Sequence, residues 1–147
     1  RLVPGFEAPV HVAWSARNRS PLIRIPNPRG EATRLELRSP DPSCNPYFAL
    51  ALILAAGLDG IENKIEPPPP CDKNVFEMTD EEREAEGIVA IPGSLDEAID
   101  VMSKSEFVRE VLGDHIFSKY IEAKKAECLE YRTRVSKWEI DAYLKKY

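Results

Sequence analysis

In the stretch TRLELRSPD, Thr33 to Asp41, a charged residue recurs at every second position from Arg34 to Arg38. On an extended strand, whose side chains alternate between faces, Arg34, Glu36 and Arg38 share one face while Leu35 and Leu37 take the other. Same-face neighbours lie about 7 Å apart, where unit charges interact by roughly 2 kcal/mol at an effective dielectric of about 20, so Glu36 partly neutralises the guanidiniums flanking it. It does not neutralise the segment around them. From Arg1 to Arg38 there are seven arginines, no lysine and no aspartate against three glutamates, a net +4 in a chain of net −5, which leaves −9 for the remainder. A planar guanidinium grips carboxylate or phosphate through two parallel hydrogen bonds, whereas lysine is the usual solvated surface charge. An all-arginine basic segment in an acidic chain therefore points to an anion site; the alternative is an arginine-rich sheet face carrying surface ion pairs.

Those side chains need a frame. With 147 residues, 43% of them hydrophobic and 31% charged, the chain can form one globular domain or part of a larger one. It opens Arg1-Leu2-Val3-Pro4-Gly5 without methionine, which reads as a piece of something longer, and no secretory or transit segment is expected. The longest apolar stretch, Tyr47 to Leu58, covers about a dozen residues against the roughly 20 needed to cross a bilayer, and is expected to be a core helix. Cys44, Cys71 and Cys128 are odd in number and far apart, with no CxxC, so they signal neither a disulfide framework nor a zinc site. Reduced thiols and a cytoplasmic setting are the expectation.

Short apolar runs at Val10 to Ala13 and Leu22 to Ile25, followed by the alternating Thr33 to Arg38, predict a small antiparallel meander punctuated by Pro, Gly and Asn. Asn45-Pro46 supplies an N-cap and a first-turn proline for a helix to about Leu58, with Gly57 and Gly60 available to end it. That helix is apolar almost all round, so it is expected to be buried. The run Pro67 to Pro70 favours an extended, stiff connector and marks a boundary between 1–66 and 67–147. Beyond it, Thr79 to Glu82, Ser94 to Glu97 and Ser136 to Glu139 fit capping boxes, Gly87 and Gly113 fit helix stops, and Asp114 fits the start of a longer helix. Trp138, Tyr143 and Tyr147 near the end suggest a helix that covers a core or docks on a subunit.

The segments RLVPGFEAP, SARNRSPLIRIP and TRLELRSPDPSCNPYFALALILAAGLDGIENKI resemble the C-terminal half of the catalytic domain of bacterial and archaeal type I glutamine synthetases, and the resemblance extends through DKNVF, PGSLDEAI and RTRVSKWEIDAYLKKY. It implies an enzyme that condenses glutamate with ammonia at the expense of ATP through γ-glutamyl phosphate, with magnesium or manganese, in a cytoplasmic homo-oligomeric ring, a dodecamer by the family's habit. The implied fold is α+β, an incomplete piece of the catalytic fold: 1–66 as the C-terminal half of the catalytic α/β barrel, and 67–147 as the proline hinge and helical C-terminal region of the same domain.

By the same resemblance Arg1 binds glutamate, and Glu7 sits on a mobile flap, excludes water and helps take a proton from the ammonium nucleophile. Arg19 meets the phosphate being transferred and borders both glutamate and ATP, and Arg24 contacts ATP. Glu36 ligates a metal ion and Arg38 binds glutamate. Phosphoryl transfer to a carboxylate brings two anions together, so residues that hold cations and anions in place suit it. Arg17, Arg29 and Arg34 read as structural or peripheral, His11 as a packed or hydrogen-bonded histidine, and His115, at a helix start, as structural. Glu31 stands where some relatives carry a lysine toward ATP, and Phe76 stands where a regulated subgroup carries an adenylylated tyrosine, a modification that needs a phenolic oxygen. The other reading is a non-catalytic binding module, whose basic sheet face holds an anion while the aromatic tail docks a protein partner. Nucleic acid is disfavoured by the pI of about 5.2 and the lack of a lysine-rich stripe.

Overall fold

The computed structural model describes residues 8–144 and 146; Arg1, Glu7 and Tyr147 lie outside the described residues. The chain forms two compact units, divided between Gly93 and Ser94.

In the first unit, residues 10–15 are bonded on both sides. Val12 N–H donates to the Val89 carbonyl and Ile91 N–H to that of Val10, each at 2.8 Å, with His11 opposite Ala90 in antiparallel sense. On the other side stands a three-stranded sheet in the order β1 (Trp14–Ser15), β2 (Ile23–Arg24), β3 (Glu36–Leu37). The β2–β3 pair is antiparallel, as expected of the meander, with Ile23 opposite Leu37 and Arg24 opposite Glu36.

The β1–β2 pair is parallel, which corrects the all-antiparallel meander. The link between these strands is not a hairpin. Leu22 N–H reaches back to the His11 carbonyl at 3.2 Å, so the second strand starts level with the beginning of the first. Polar side chains fold the link over: Ser15 Oγ accepts from the N–H groups of Arg17 and Asn18 at 3.1 and 3.3 Å, and Asn18 Oδ1 accepts from Ser20 N–H at 3.0 Å. Short Ser and Asn side chains compete with the backbone's own partners in this way and build compact turns.

The core of this unit gathers Cys71, Val75 and Met78, with Ala13 and Ile88 against them, and Val10 and Leu22 are buried as well. The proline run lies beside β1, where Trp14 Nε1 donates to the Pro68 carbonyl at 2.7 Å and Cys71 N–H to that of Trp14 at 2.8 Å. Helix α2 (Asp80–Ala85) starts in the expected reciprocal capping box of Thr79 and Glu82.

Helix α1 (Pro46–Glu62) begins as expected, with Asn45 Oδ1 accepting from Tyr47 and Phe48 N–H. Two expectations about it are corrected. First, it is not buried: no described strand or other helix packs on it, and Leu54 is 64% exposed, because within the described residues nothing supplies the surfaces its apolar sides need. Second, it runs through Gly57 and Gly60 instead of ending there. The stop is Lys64 at φ 52°, where Lys64 N–H bonds the Ile61 carbonyl and Ile65 N–H that of Gly60. That is the paired C-terminal pattern normally closed by glycine, as Gly87 closes α2 at φ 67°. A lysine in this conformation carries no sequence signal.

The second unit holds α3 (Leu95–Ser103), α4 (Glu106–Arg132) and α5 (Lys137–Tyr143). Ile99, Phe117 and Cys128 are its buried apolar residues, and α3 packs on α4. Arg132 pairs with Asp96 at 2.7 Å, and the Arg109 guanidinium lies 4.5 Å from the centre of the Phe117 ring. Gly113, at φ 74° and ψ 152°, breaks α4 where the sequence places a stop followed by a new start at Asp114. Helix α5 opens in the Ser136–Glu139 capping box and stacks Trp138 edge-on to Tyr143 at 5.8 Å, with Trp138 largely exposed. No helix of the described residues is long and apolar enough to cross a membrane. The three cysteines are free, Cys71 and Cys128 buried and Cys44 exposed.

Candidate functional site

The β2–β3 register sorts the arginines. Because Arg24 faces Glu36 and Arg38 N–H bonds the Leu22 carbonyl at 2.9 Å, the two-residue period puts Arg24, Arg34, Glu36 and Arg38 on one face and Ile23 and Leu37 on the other. Glu36 sits at the centre. Arg24 Nη1 donates to its Oε2 at 2.9 Å, while Arg34 grips Oε1 through Nε at 3.1 Å and Nη2 at 2.8 Å. These hydrogen bonds, Arg24's first and then Arg34's, hold the Glu36 carboxyl below its ordinary value. Arg24 and Glu36 are half-buried, and Arg24 Nε is buried without a hydrogen-bond partner among the described residues.

Arg38 does something else. Its Nη1 donates to the carbonyls of Arg19 and Pro21, the latter at 3.3 Å, so it ties down the loop from which Arg19 projects. Arg19 and Arg17 are exposed, and among the described residues neither guanidinium has a hydrogen-bond or ion-pair partner. Of the six candidate site residues, then, Arg24 and Glu36 bond directly, Arg38 meets Arg19 through a backbone carbonyl, and Arg1 and Glu7 lie outside the described residues. Arg29 is spent on its own turn, donating to the carbonyls of Pro26, Asn27 and Pro28.

Arg34, expected to be structural or peripheral, is structural: it is one of the two guanidiniums on Glu36, in line with its same-face spacing beside that glutamate. The role of Asn18 has no such signal in the sequence. Asn18 holds its loop to the segment 71–73, donating from Nδ2 to the carbonyls of Cys71 at 3.1 Å and Lys73 at 3.0 Å. His11 is a packed histidine: its ring stands edge-on to Phe76 at 6.3 Å, and burial first, then the Arg83 charge, push its pKa below the ordinary value.

A carboxylate oxygen suits a hard divalent cation such as magnesium, which takes about six oxygen ligands. Glu36 can supply one. Among the described residues no group of three His, Cys, Asp or Glu side chains comes together to supply the rest. The fit is therefore that of a single ligand on a wall, with its two oxygens now engaged by Arg24 and Arg34.

The fold has a counterpart in a solved structure, Plasmodium falciparum glutamine synthetase determined by cryo-electron microscopy, with a TM-score of 0.76 over 97% of this chain and 36% of that one at 24% identity. In sequence, the family model "Glutamine synthetase, catalytic domain" matches residues 1–143, and the chain belongs to that family. It is 58% identical to the glutamine synthetase of Methanosarcina mazei over 98% of its length, 57% identical to that of Thermotoga maritima over 98%, and 54% identical to that of Staphylococcus aureus over 100%. It spans about a third of the length of these relatives, 32%, 33% and 33% respectively.

Proposed function

We propose that this chain is the C-terminal part of a glutamine synthetase catalytic domain, and that the whole protein condenses glutamate with ammonia using ATP, through γ-glutamyl phosphate. The observation that carries the reading is the Arg24–Glu36–Arg34 cluster on one sheet face, with Arg38 anchoring the Arg19 loop beside it, in a chain of this family. The parts 1–66 and 67–147 belong to one catalytic domain, a reading supported by a family match that runs across both.

In this reading the arginines hold anions that would otherwise repel each other. Arg19, with no partner of its own among the described residues, neutralises the phosphoryl group as it passes to the glutamate carboxylate, and Arg24 holds ATP. Arg38 and Arg1 hold the glutamate substrate, and Arg38 does so while keeping the Arg19 loop in place. Glu7 takes a proton from ammonium and keeps water from the acyl phosphate. Glu36 is one ligand of a magnesium or manganese ion, which when bound neutralises charge on the transferring phosphoryl oxygens. Other subunits of a homo-oligomeric ring are the proposed partners, a reading supported by the uncovered apolar sides of α1 and the exposed Trp138 of α5.

The isolated chain should show no glutamine formation and no γ-glutamyl transfer. In a polypeptide of the relatives' full length that carries it, Glu36→Gln or Arg38→Ala should lower ATP-dependent glutamine formation by about 10²-fold or more, the usual scale for one lost transition-state contact. Unchanged turnover after both substitutions would overturn the assignment.

A further inference from the structure

Among the described residues Arg17 and Arg19, two arginines whose guanidiniums have no hydrogen-bond or ion-pair partner, flank Asn18, and Asn18 is the most fully bonded side chain of that loop. Its Nδ2 donates to the carbonyls of Cys71 at 3.1 Å and Lys73 at 3.0 Å, and its Oδ1 accepts from Ser20 N–H and Ser20 Oγ, both at 3.0 Å. Two donors and two acceptor positions saturate a carboxamide, and the arrangement fixes which way the amide points. The serines on either side extend the clip. Ser15, fully buried, accepts from Arg17 and Asn18 N–H and donates to Asp72 Oδ1 at 3.0 Å; Ser20, nearly buried, accepts from Val75 N–H at 3.0 Å.

The backbone between Ser15 and Ser20 is therefore held from one side by Cys71, Asp72, Lys73 and Val75, and from the other by Arg38 on the Arg19 carbonyl. Val75 belongs to the unit's core cluster, so the loop is referenced to packed structure and not merely to itself. A flexible seven-atom arginine side chain delivers a charge reliably only if its Cα is fixed, and a misplacement of about 1 Å can cost roughly 10²-fold in rate.

We infer that Asn18 is a positioning residue, whose carboxamide clips the arginine loop to the 71–75 segment and sets where Arg19 meets an anionic substrate group. This rests on the reading of Arg19 given above. Asn18 itself touches no substrate; it acts through the backbone of Arg19. The aspartate isostere is the sharpest probe, because it keeps the size of the side chain but turns an oxygen toward two carbonyl oxygens, so both donor bonds become repulsive.

The test is a double-mutant cycle in a polypeptide of the relatives' full length carrying this chain, with kcat and the KM for ATP measured separately and a urea unfolding midpoint for each variant. Asn18→Asp should lower kcat/KM by about 10²-fold and raise the KM for ATP, yet change kcat/KM less than twofold when added to Arg19→Ala. Ile99→Ala, in a helix that takes no part in the clip, serves as the comparison for general destabilisation: it should lower the midpoint and leave the KM for ATP where it was. If Asn18→Asp does not accumulate as folded protein, Ser20→Ala, which removes one acceptor and one donor from the same clip, should show the same non-additivity at smaller amplitude. Equal losses with and without Arg19 would overturn the inference and make Asn18 a scaffold residue, as would kinetics unchanged by either clip substitution. Full activity of Arg19→Ala alone would overturn the functional reading, and the inference with it.

Discussion

The two units are held together by different means. In the second, the order is regular: long helices, N-caps at Ser94, Ser105 and Ser136, and ion pairs three or four residues apart such as Lys119–Glu122 and Lys124–Glu127. In the first, strands are two residues long and side chains bridge to distant backbone, Asn18 to Cys71 and Lys73, Ser20 to Val75, Arg38 to Arg19 and Pro21. Repeated local bonds tolerate change at any one of them. Irregular loops depend on particular side chains, and that is also what allows them to hold charges in arrangements no helix face offers.

The comparison can be broken at several places, and the largest expected effect concerns charge. In a polypeptide of the relatives' length, Arg19→Ala should cost glutamine formation about 10²-fold to 10³-fold, while Lys119→Ala, which removes one exposed pair of the second unit, should leave turnover and stability within error. A comparable loss from both would erase the distinction. Next in size is packing. Phe117, 4% exposed and stacked under Arg109, should cost about 3–5 kcal/mol on truncation to alanine, read as a lower urea midpoint for the helical unit. A change under about 1 kcal/mol would mean the aromatic is not the centre of that unit's core.

A pH dependence distinguishes the Glu36 cluster. Its carboxyl titrates below the ordinary 4.5 because Arg24 and Arg34 hydrogen-bond the charged form, so its contribution is complete above the unfolded value and is lost as pH falls through 4.5 toward the folded value. Acid unfolding of Glu36→Gln should accordingly lack part of that slope; identical acid profiles would remove the ion pairs from the account. The smallest effect sharpens the contrast between helix ends. Lys64→Gly should stabilise α1's C-terminus by about 1 kcal/mol, since glycine pays no penalty at positive φ, and hydrogen exchange at Ile65 N–H should slow. Faster exchange there would contradict the assigned cap.

What the residues revealed in advance follows the same division. Caps at Asn45, Thr79 and Ser136 and the break at Gly113 were legible because each is written in neighbouring residues. The β2–β3 face was legible because alternation is local. The parallel β1–β2 pair was not, since the signal that reverses the link lies in bonds from Asn18 and Ser20 to residues more than fifty positions away. The Arg34–Glu36 pair was legible from same-face spacing, but not that Arg24, from the neighbouring strand, takes the place the spacing offered to Arg38. The exposed α1 teaches a related lesson: an all-apolar helix states that it needs covering, and says nothing about which polypeptide segment covers it.

The most direct test is a divalent-metal titration of ATP-dependent glutamine formation for Glu36→Gln beside the unsubstituted protein, both at the relatives' full length. A carboxylate standing among arginines as one arm of a metal site predicts that the amide variant needs at least about tenfold more magnesium or manganese for half-maximal rate, the lower end for losing an element of a metal site, and stays slower at saturation. A superimposable titration, in both midpoint and plateau, would show that Glu36 is only the glue between two guanidiniums.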